Sequence, residues 1–155
     1  MKKLVAFILL LVTFSVTAQT IRQEKRAIKK AIQIAYVEGL INEGNNTKIN
    51  LGIHPDCKIM AYDSAYGLRT YTIKEWENNN YIRKRTGTLP KKEQEKVTIK
   101  FKHIDITGIA ATVKIKYYEG GELTYIGYIL MYKFDNDWKM VSKIFNKYLM
   151  IENKN

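Results

Sequence analysis

A phenol, a carboxylate and an amine stand out in this 155-residue sequence. Tyr36 lies on the apolar stripe of a predicted helix, where a tyrosine either packs as core or turns its hydroxyl to a ligand. Asp63 ends a predicted strand, on the face that carries Cys57, Ile59 and Ala61. Lys143 sits on a predicted strand face with Val141 and Phe145. An amine so placed either snorkels to the rim or pairs with Asp63 or an anionic ligand. The run His54-Pro55-Asp56-Cys57 invites a nucleophile or a metal site, but Pro55 bends the chain between the donors. Two histidines and one cysteine are also a poor metal inventory. His103 is far off in sequence and alternates with apolar residues, so no metal site and no Cys/His nucleophile is expected. The sequence carries no Gly-rich phosphate loop and no Gly-x-Ser-x-Gly elbow, and no cofactor is expected. The lone Cys57 cannot close an internal disulfide and reads as a small buried apolar residue.

The segment ahead of these residues sets the compartment. Lys2 and Lys3 precede an apolar run from Leu4 to Val12. Val16-Thr17-Ala18 then places small residues before Gln19, so residues 1–18 read as a secretory signal peptide cleaved near Ala18/Gln19. The run is too short for a stable membrane span. A lipoprotein would need cysteine where Gln19 stands. The expectation is an exported protein, periplasmic or secreted, with a single domain over residues 19–155. Loss of Lys2 and Lys3 lowers the formal charge from +11 to +9. The basic residues are dispersed: Arg22, Lys25, Arg26, Lys29 and Lys30 in the first helix, then Arg83, Lys84 and Arg85, then Lys91 and Lys92. That pattern suits solubility and a general affinity for anionic envelope polymers. No nucleic-acid-binding motif accompanies it, and the signal leads away from nucleic acid.

The elements that must position the candidates follow from periodicity. Ile21, Ile28, Ile32, Ala35, Tyr36, Gly39 and Leu40 form one stripe, predicting an amphipathic helix over 20–43 that stops at Gly44. Asn45 or Asn46 caps a short second helix through Leu51. His54-Pro55-Asp56 is read as a turn, Cys57 to Asp63 as a strand, Ser64 to Gly67 as a loop, and Leu68 to Tyr71 as a short strand. Thr72 and Glu75 have capping-box spacing for a helix that carries Trp76, and residues 78–92 are read as a mobile connection. Four alternating stretches follow, Val97 to Ile106, Ile109 to Tyr118, Leu123 to Phe134 and Trp138 to Tyr148. Thr107-Gly108, Glu119-Gly120-Gly121-Glu122 and Asp135-Asn136-Asp137 join them as turns. In the second stretch Ala111, Val113, Ile115 and Tyr117 point inward; the third is apolar on both faces. Helices early and hairpins late predict an α+β fold with a curved antiparallel sheet around the helices.

This order resembles the cone-shaped, cystatin-like fold of nuclear transport factor two, ketosteroid isomerase and the SnoaL-like cyclases. Three stretches carry the resemblance: Ala35-Tyr36-Val37-Glu38-Gly39-Leu40 with Asn42-Glu43-Gly44, His54-Pro55-Asp56-Cys57, and Trp138 through Phe145. The last stretch, with Ile104-Asp105-Ile106 ahead of Ile109-Ala110-Ala111, is most similar to the group named "putative lumazine-binding". The resemblance implies a pocket between the concave sheet face and the first helix, lined by Tyr36, Ile59, Ala61, Asp63, Tyr128, Leu130, Lys143 and Phe145, with Trp76 over its mouth. Of ketosteroid isomerase's three catalytic groups, only the tyrosine is matched, by Tyr36. The base position falls on Ala61 and the late aspartic acid position on Leu130. Without a base at the substrate there is no proton shuttle. The expectation is therefore a non-catalytic domain that binds a small apolar or aromatic molecule. The alternatives are an isomerase or cyclase using Tyr36 with Asp63 as a displaced base, and an interaction module for anionic polymers. The resemblance also implies a homodimer through the convex sheet face, with Tyr118 and Tyr125 on it.

Overall fold

A computed structural model describes residues 20–147, so residues 1–18, read above as a signal peptide, and Tyr148 lie outside the described residues. Helix α1 spans residues 20–43. Its first half is α-helical, and Ile32–Glu43 winds as a π-helix. The wider π turn places Val37 and Ile41 in the interior beside Tyr36 and Leu40. The predicted stripe holds from Ile28 onward, whereas Ile21, at the start of the helix, is 51 % exposed. Gly44 ends α1 in the left-handed conformation, with φ 61°. Helix α2, Asn46–Gly52, is capped by Asn45, whose side chain accepts from Lys48 N at 3.2 Å. Helices α1 and α2 touch through glycine. A Cβ on Gly52 would stand 2.7 Å from Ala31 O, and one on Gly39 2.9 Å from Ile49 N.

Strand β1, Ile53–Asp63, runs antiparallel to β2, Gly67–Thr72. The predicted turn at His54-Pro55-Asp56 is instead an irregular stretch inside β1. The strand pairs with its neighbour at Ile53 and resumes only at Lys58, so these residues bulge without reversing the chain. His54 stacks on Phe134, ring centroids 4.8 Å apart. Helix α3, Ile73–Arg85, opens with the predicted capping box: Glu75 N donates to Thr72 Oγ1 at 3.2 Å, and Thr72 N to Glu75 Oε2 at 2.7 Å. It runs to Arg85, through residues predicted as a mobile connection. Asn80 explains why an asparagine run stays helical. Its buried Nδ2 donates to Leu40 O at 2.7 Å, satisfying a carbonyl near the end of α1.

Strands β3, Val97–Thr107, β4, Ala110–Glu119, β5, Glu122–Phe134, and β6, Asp137–Lys147, form the predicted meander. The sheet order is β2-β1-β6-β5-β4-β3, antiparallel throughout except where β1 meets β6 in parallel. The helices pack on one face of this curved sheet, an α+β architecture. Two clamps fix α1 across it. Glu24 accepts from Lys133 Nζ at 2.6 Å and from Trp138 Nε1, tying the helix to the β5–β6 hairpin. Buried Asn42 donates to Val97 O at 3.0 Å and accepts from Val97 N at 2.9 Å, tying the other end to the start of β3.

Bulges decide which side chains face the helices. In β6, Met140 pairs with Met131 and Ser142 with Leu130, leaving Val141 as the extra residue. Trp138 and Met140 are buried ahead of it, Lys143 and half-buried Phe145 after it, and Ile144 is exposed. Strict alternation from Trp138 would have sent Lys143 to the outer face. Val141 itself lines a cleft of about 180 Å³ on that outer face, with Leu130 and Thr112, and does not share the face of Lys143.

Candidate functional site

Lys143 lies in register with Ile59 of β1 and Ile129 of β5, both fully buried. It is itself only 4 % exposed. Its Nζ stands 4.2 Å from the ring centroid of Phe145, 4.9 Å from that of Tyr36 and 5.6 Å from that of Tyr117. Among the described residues it has no carboxylate and no hydrogen-bond partner. Burial pulls the amine down to about 7, against a smaller upward pull from Cys57. A desolvated cation over an aromatic ring recovers about 2 kcal/mol or more, set against the several kcal/mol that losing water costs an ammonium. The neutral amine is thus readily reached near neutral pH.

The surrounding groups stay uncharged. Burial pushes the Cys57 thiol up to about 12, and it pushes the Tyr36 and Tyr117 hydroxyls well above their ordinary values. The Tyr117 hydroxyl is 3.5 Å from Glu119 Oε1, its hydrogen-bond acceptor. Half-buried Tyr125 meets Tyr117 and Phe145 edge to face, at 5.5 and 5.2 Å. Tyr125 therefore faces inward, and its expected place on a convex dimer face is corrected. An extra residue near Thr124, where the β4–β5 register slips, sets its parity.

The structure brings Tyr36, Ile59, Lys143 and Phe145 together, with Ala61 in register beside Phe145. Trp76 packs on the core from α3, and its buried Nε1 has no acceptor. Three expected members are elsewhere. Tyr128 and Leu130 are 45 % and 46 % exposed on the outer face. The apolar character of β5 on both faces hid this, and Gly127, Ile129 and Met131 take the inner one. Asp63 is exposed, its Oδ1 accepting from Ala65 N at 2.8 Å and Tyr66 N at 3.2 Å to cap the β1–β2 turn. It neither pairs with Lys143 nor shares a site with Tyr36. Tyr117, Tyr125, Cys57 and Gly127 are the members that sequence reasoning did not assign to the site. The inward alternation of β4 already pointed to Tyr117.

Other features lie apart. A polar groove of about 1030 Å³ runs between α1 and the start of β3, lined by Glu38, Lys84, Lys91, Glu93 and Lys96 among others. Lys48 bridges Glu38 and Glu43 at 3.0 and 2.7 Å beside it. Among the described residues no three His, Cys, Asp or Glu side chains converge as a metal set, and no helix is long and apolar enough to cross a membrane.

Residues 23–146 match the family described as "Putative lumazine-binding". The chain belongs to that family. The putative lumazine-binding match spans both clamps on α1 and every member of the lysine cage. Solved structures agree on the fold. A nuclear transport factor two-like protein of unknown function from Shewanella baltica is 21 % identical with a TM-score of 0.62, covering 82 % of this chain and 95 % of its own. One from Methylobacillus flagellatus is 19 % identical at TM-score 0.60, covering 82 % and 94 %. A third, from Silicibacter pomeroyi, is 10 % identical at 0.61, covering 85 % and 98 %. No curated protein matches the sequence. At these identities the neighbours of this putative lumazine-binding chain establish its fold, and function rests on its own residues.

Proposed function

We propose that this domain binds a small planar molecule bearing hydrogen-bond acceptors, in the aromatic cup around Lys143, without turning it over. One observation carries the reading: a buried amine that has aromatic walls and no acceptor of its own. The amine has no protein acceptor, and a ligand carbonyl or ring nitrogen would accept from it while stacking on Tyr36, Tyr117 or Phe145. A pteridine, the ligand class in the family's name, has that chemistry. The isomerase alternative finds no support in the geometry, since Asp63 is committed to a turn.

The test is a native mass spectrum with an absorbance scan of residues 19–155 purified from the producing host. A bound mass lost on denaturation, and absent from Lys143→Met, is the expected result. A ligand retained equally by that variant would overturn the reading.

Export and pairing belong to the same proposal. The Lys2-Lys3 start, the apolar run to Val12 and the Ala18/Gln19 junction support processing by a signal peptidase; N-terminal sequencing of the natural protein checks it. Exposed Tyr128, Leu130, Tyr132 and Ile144 on the outer face support a homodimer there, and light scattering gives its mass.

A further inference from the structure

We propose that Lys143 captures carbonyl compounds covalently, forming a reversible imine with a small aromatic aldehyde or ketone held in the cage of Tyr36, Tyr117 and Phe145. This rests on the binding reading above and names the reactive class of ligand that the same cup takes.

Three structural facts support it. Among the described residues no acid pairs with the amine, so only the faces of the surrounding rings favour its ammonium form. The amine stands 4.2 to 5.6 Å from three ring centroids, so a carbonyl carbon bonded to it would lie among aromatic side chains. Gly127 lacks the side chain that would crowd the amine's stem, because a Cβ there would lie 3.2 Å from Lys143 Cε. The depressed basicity fits. An amine titrating at about 7 is half neutral at neutral pH, whereas roughly one ordinary lysine in a thousand or fewer is. Only the neutral amine has the lone pair that attacks.

The step balances without an outside oxidant or reductant. The Nζ lone pair attacks the carbonyl carbon, and the carbon–oxygen π pair moves to oxygen. A proton passes from nitrogen to that oxygen, giving a carbinolamine. A second proton, from solvent or a neutral tyrosine hydroxyl, lets the oxygen leave as water. The nitrogen lone pair then closes the C=N bond as a protonated imine. Hydrolysis reverses every change. Tyr36 and Tyr117 are the phenols beside the amine, and burial keeps both protonated.

The experiment treats residues 19–155 with benzaldehyde and cyanoborohydride at neutral pH, which reduces any imine to a stable benzyl-lysine, and maps it by peptide mass spectrometry. Lys143 should be labelled at least tenfold faster than any other lysine peptide, and Lys143→Arg should lose the fast phase. Label spread over surface lysines with Lys143 spared would overturn the proposal. The wild-type map decides even if the variant does not fold. Lumazine binding is measured in parallel by fluorescence quenching. If lumazine binds and Lys143 resists labelling, the covalent step fails and the binding reading stands. If neither occurs, both fail.

Discussion

Gly127 and Lys143 sit diagonally across the β5–β6 ladder, on the helix-facing side, with room between them for a lysine stem and nothing more. A Cβ on Gly127 would stand 3.2 Å from Lys143 Cε, and the next nearest atom is Ile115 Cγ1 at 3.4 Å. Gly127→Ala is therefore expected to cost about 1 kcal/mol through crowding. In a Lys143→Ala background the same change should be close to neutral, because the stem is gone. A double-mutant cycle by urea denaturation measures this. Additive costs would mean that the two residues do not share the space.

Lys143 should give the fold a distinctive pH response. Its amine is lowered to about 7 from an ordinary 10.5, so between those values the unfolded chain holds a proton that the folded one has released. Stability then rises with pH, by roughly 1 kcal/mol per unit. Cys57 works the other way: its thiol moves from 9.0 to about 12, so it erodes stability as pH climbs past 9. Tyr36 and Tyr117, raised by burial, act in that same sense at still higher pH. The clean window lies between about pH 7 and 9. Denaturation across it should show a rising stability that Lys143→Met flattens, with the variant's gain largest at the acid end.

Asn42 closes a two-way hydrogen bond with the backbone of Val97 in the interior. Asn42→Ala strands a buried N–H and a buried C=O, and should cost about 2–4 kcal/mol. Amide exchange at Val97 should accelerate with it, which a general loss of packing would not single out.

Glu24 gives a second pH response of opposite origin. Its hydrogen bonds from Lys133 and Trp138 hold the carboxyl below its ordinary 4.5. Its contribution is complete above that value and is lost as pH falls through the lower, folded one. The pair with Lys133 is about a quarter exposed, so Glu24→Gln should cost only about 1 kcal/mol at neutral pH. A thermal melt at pH 7 and again near pH 3 should show the difference shrinking.

Asp63 should prove structural. Asp63→Asn keeps the acceptor for Ala65 and Tyr66 and is expected to leave ligand retention and labelling of Lys143 unchanged. Asp63→Ala should lower stability by about 1 kcal/mol through the turn. Loss of ligand with the Asn variant would restore Asp63 to the site.

Element types and order were legible in the sequence because α1, β4 and the Thr72 cap obey simple periods and spacings. Gly44 and Asn45 marked helix ends by their chemistry. The misreadings share one cause, the tertiary partner. Residues 78–85 are mostly polar, with Tyr81 and Ile82 exposed, and read as a connection, yet Asn80 supplies the donor that an α1 carbonyl needs. Leu130 and Ile129 are equally apolar, and only the sheet's packing says which one is buried. Lys143 was singled out from its neighbours, but its inward turn depends on the Val141 bulge. An extra residue in a ladder leaves no mark on a hydrophobicity pattern.

The parallel pairing of β1 with β6 has a consequence for the order in which the chain can assemble. Everything between them is made before β1 meets its inner neighbour. A chain ending ahead of Asp137 holds a β1–β2 hairpin and a β3–β4–β5 meander with no strand to join them. Closing that gap brings together segments some eighty residues apart, a slow step by the usual dependence of folding rate on contact separation. A polypeptide threaded from its N-terminus through a translocation channel would accordingly emerge with its sheet in two parts. The strand that unites them also delivers Lys143, so the aromatic cage and the sheet are completed together.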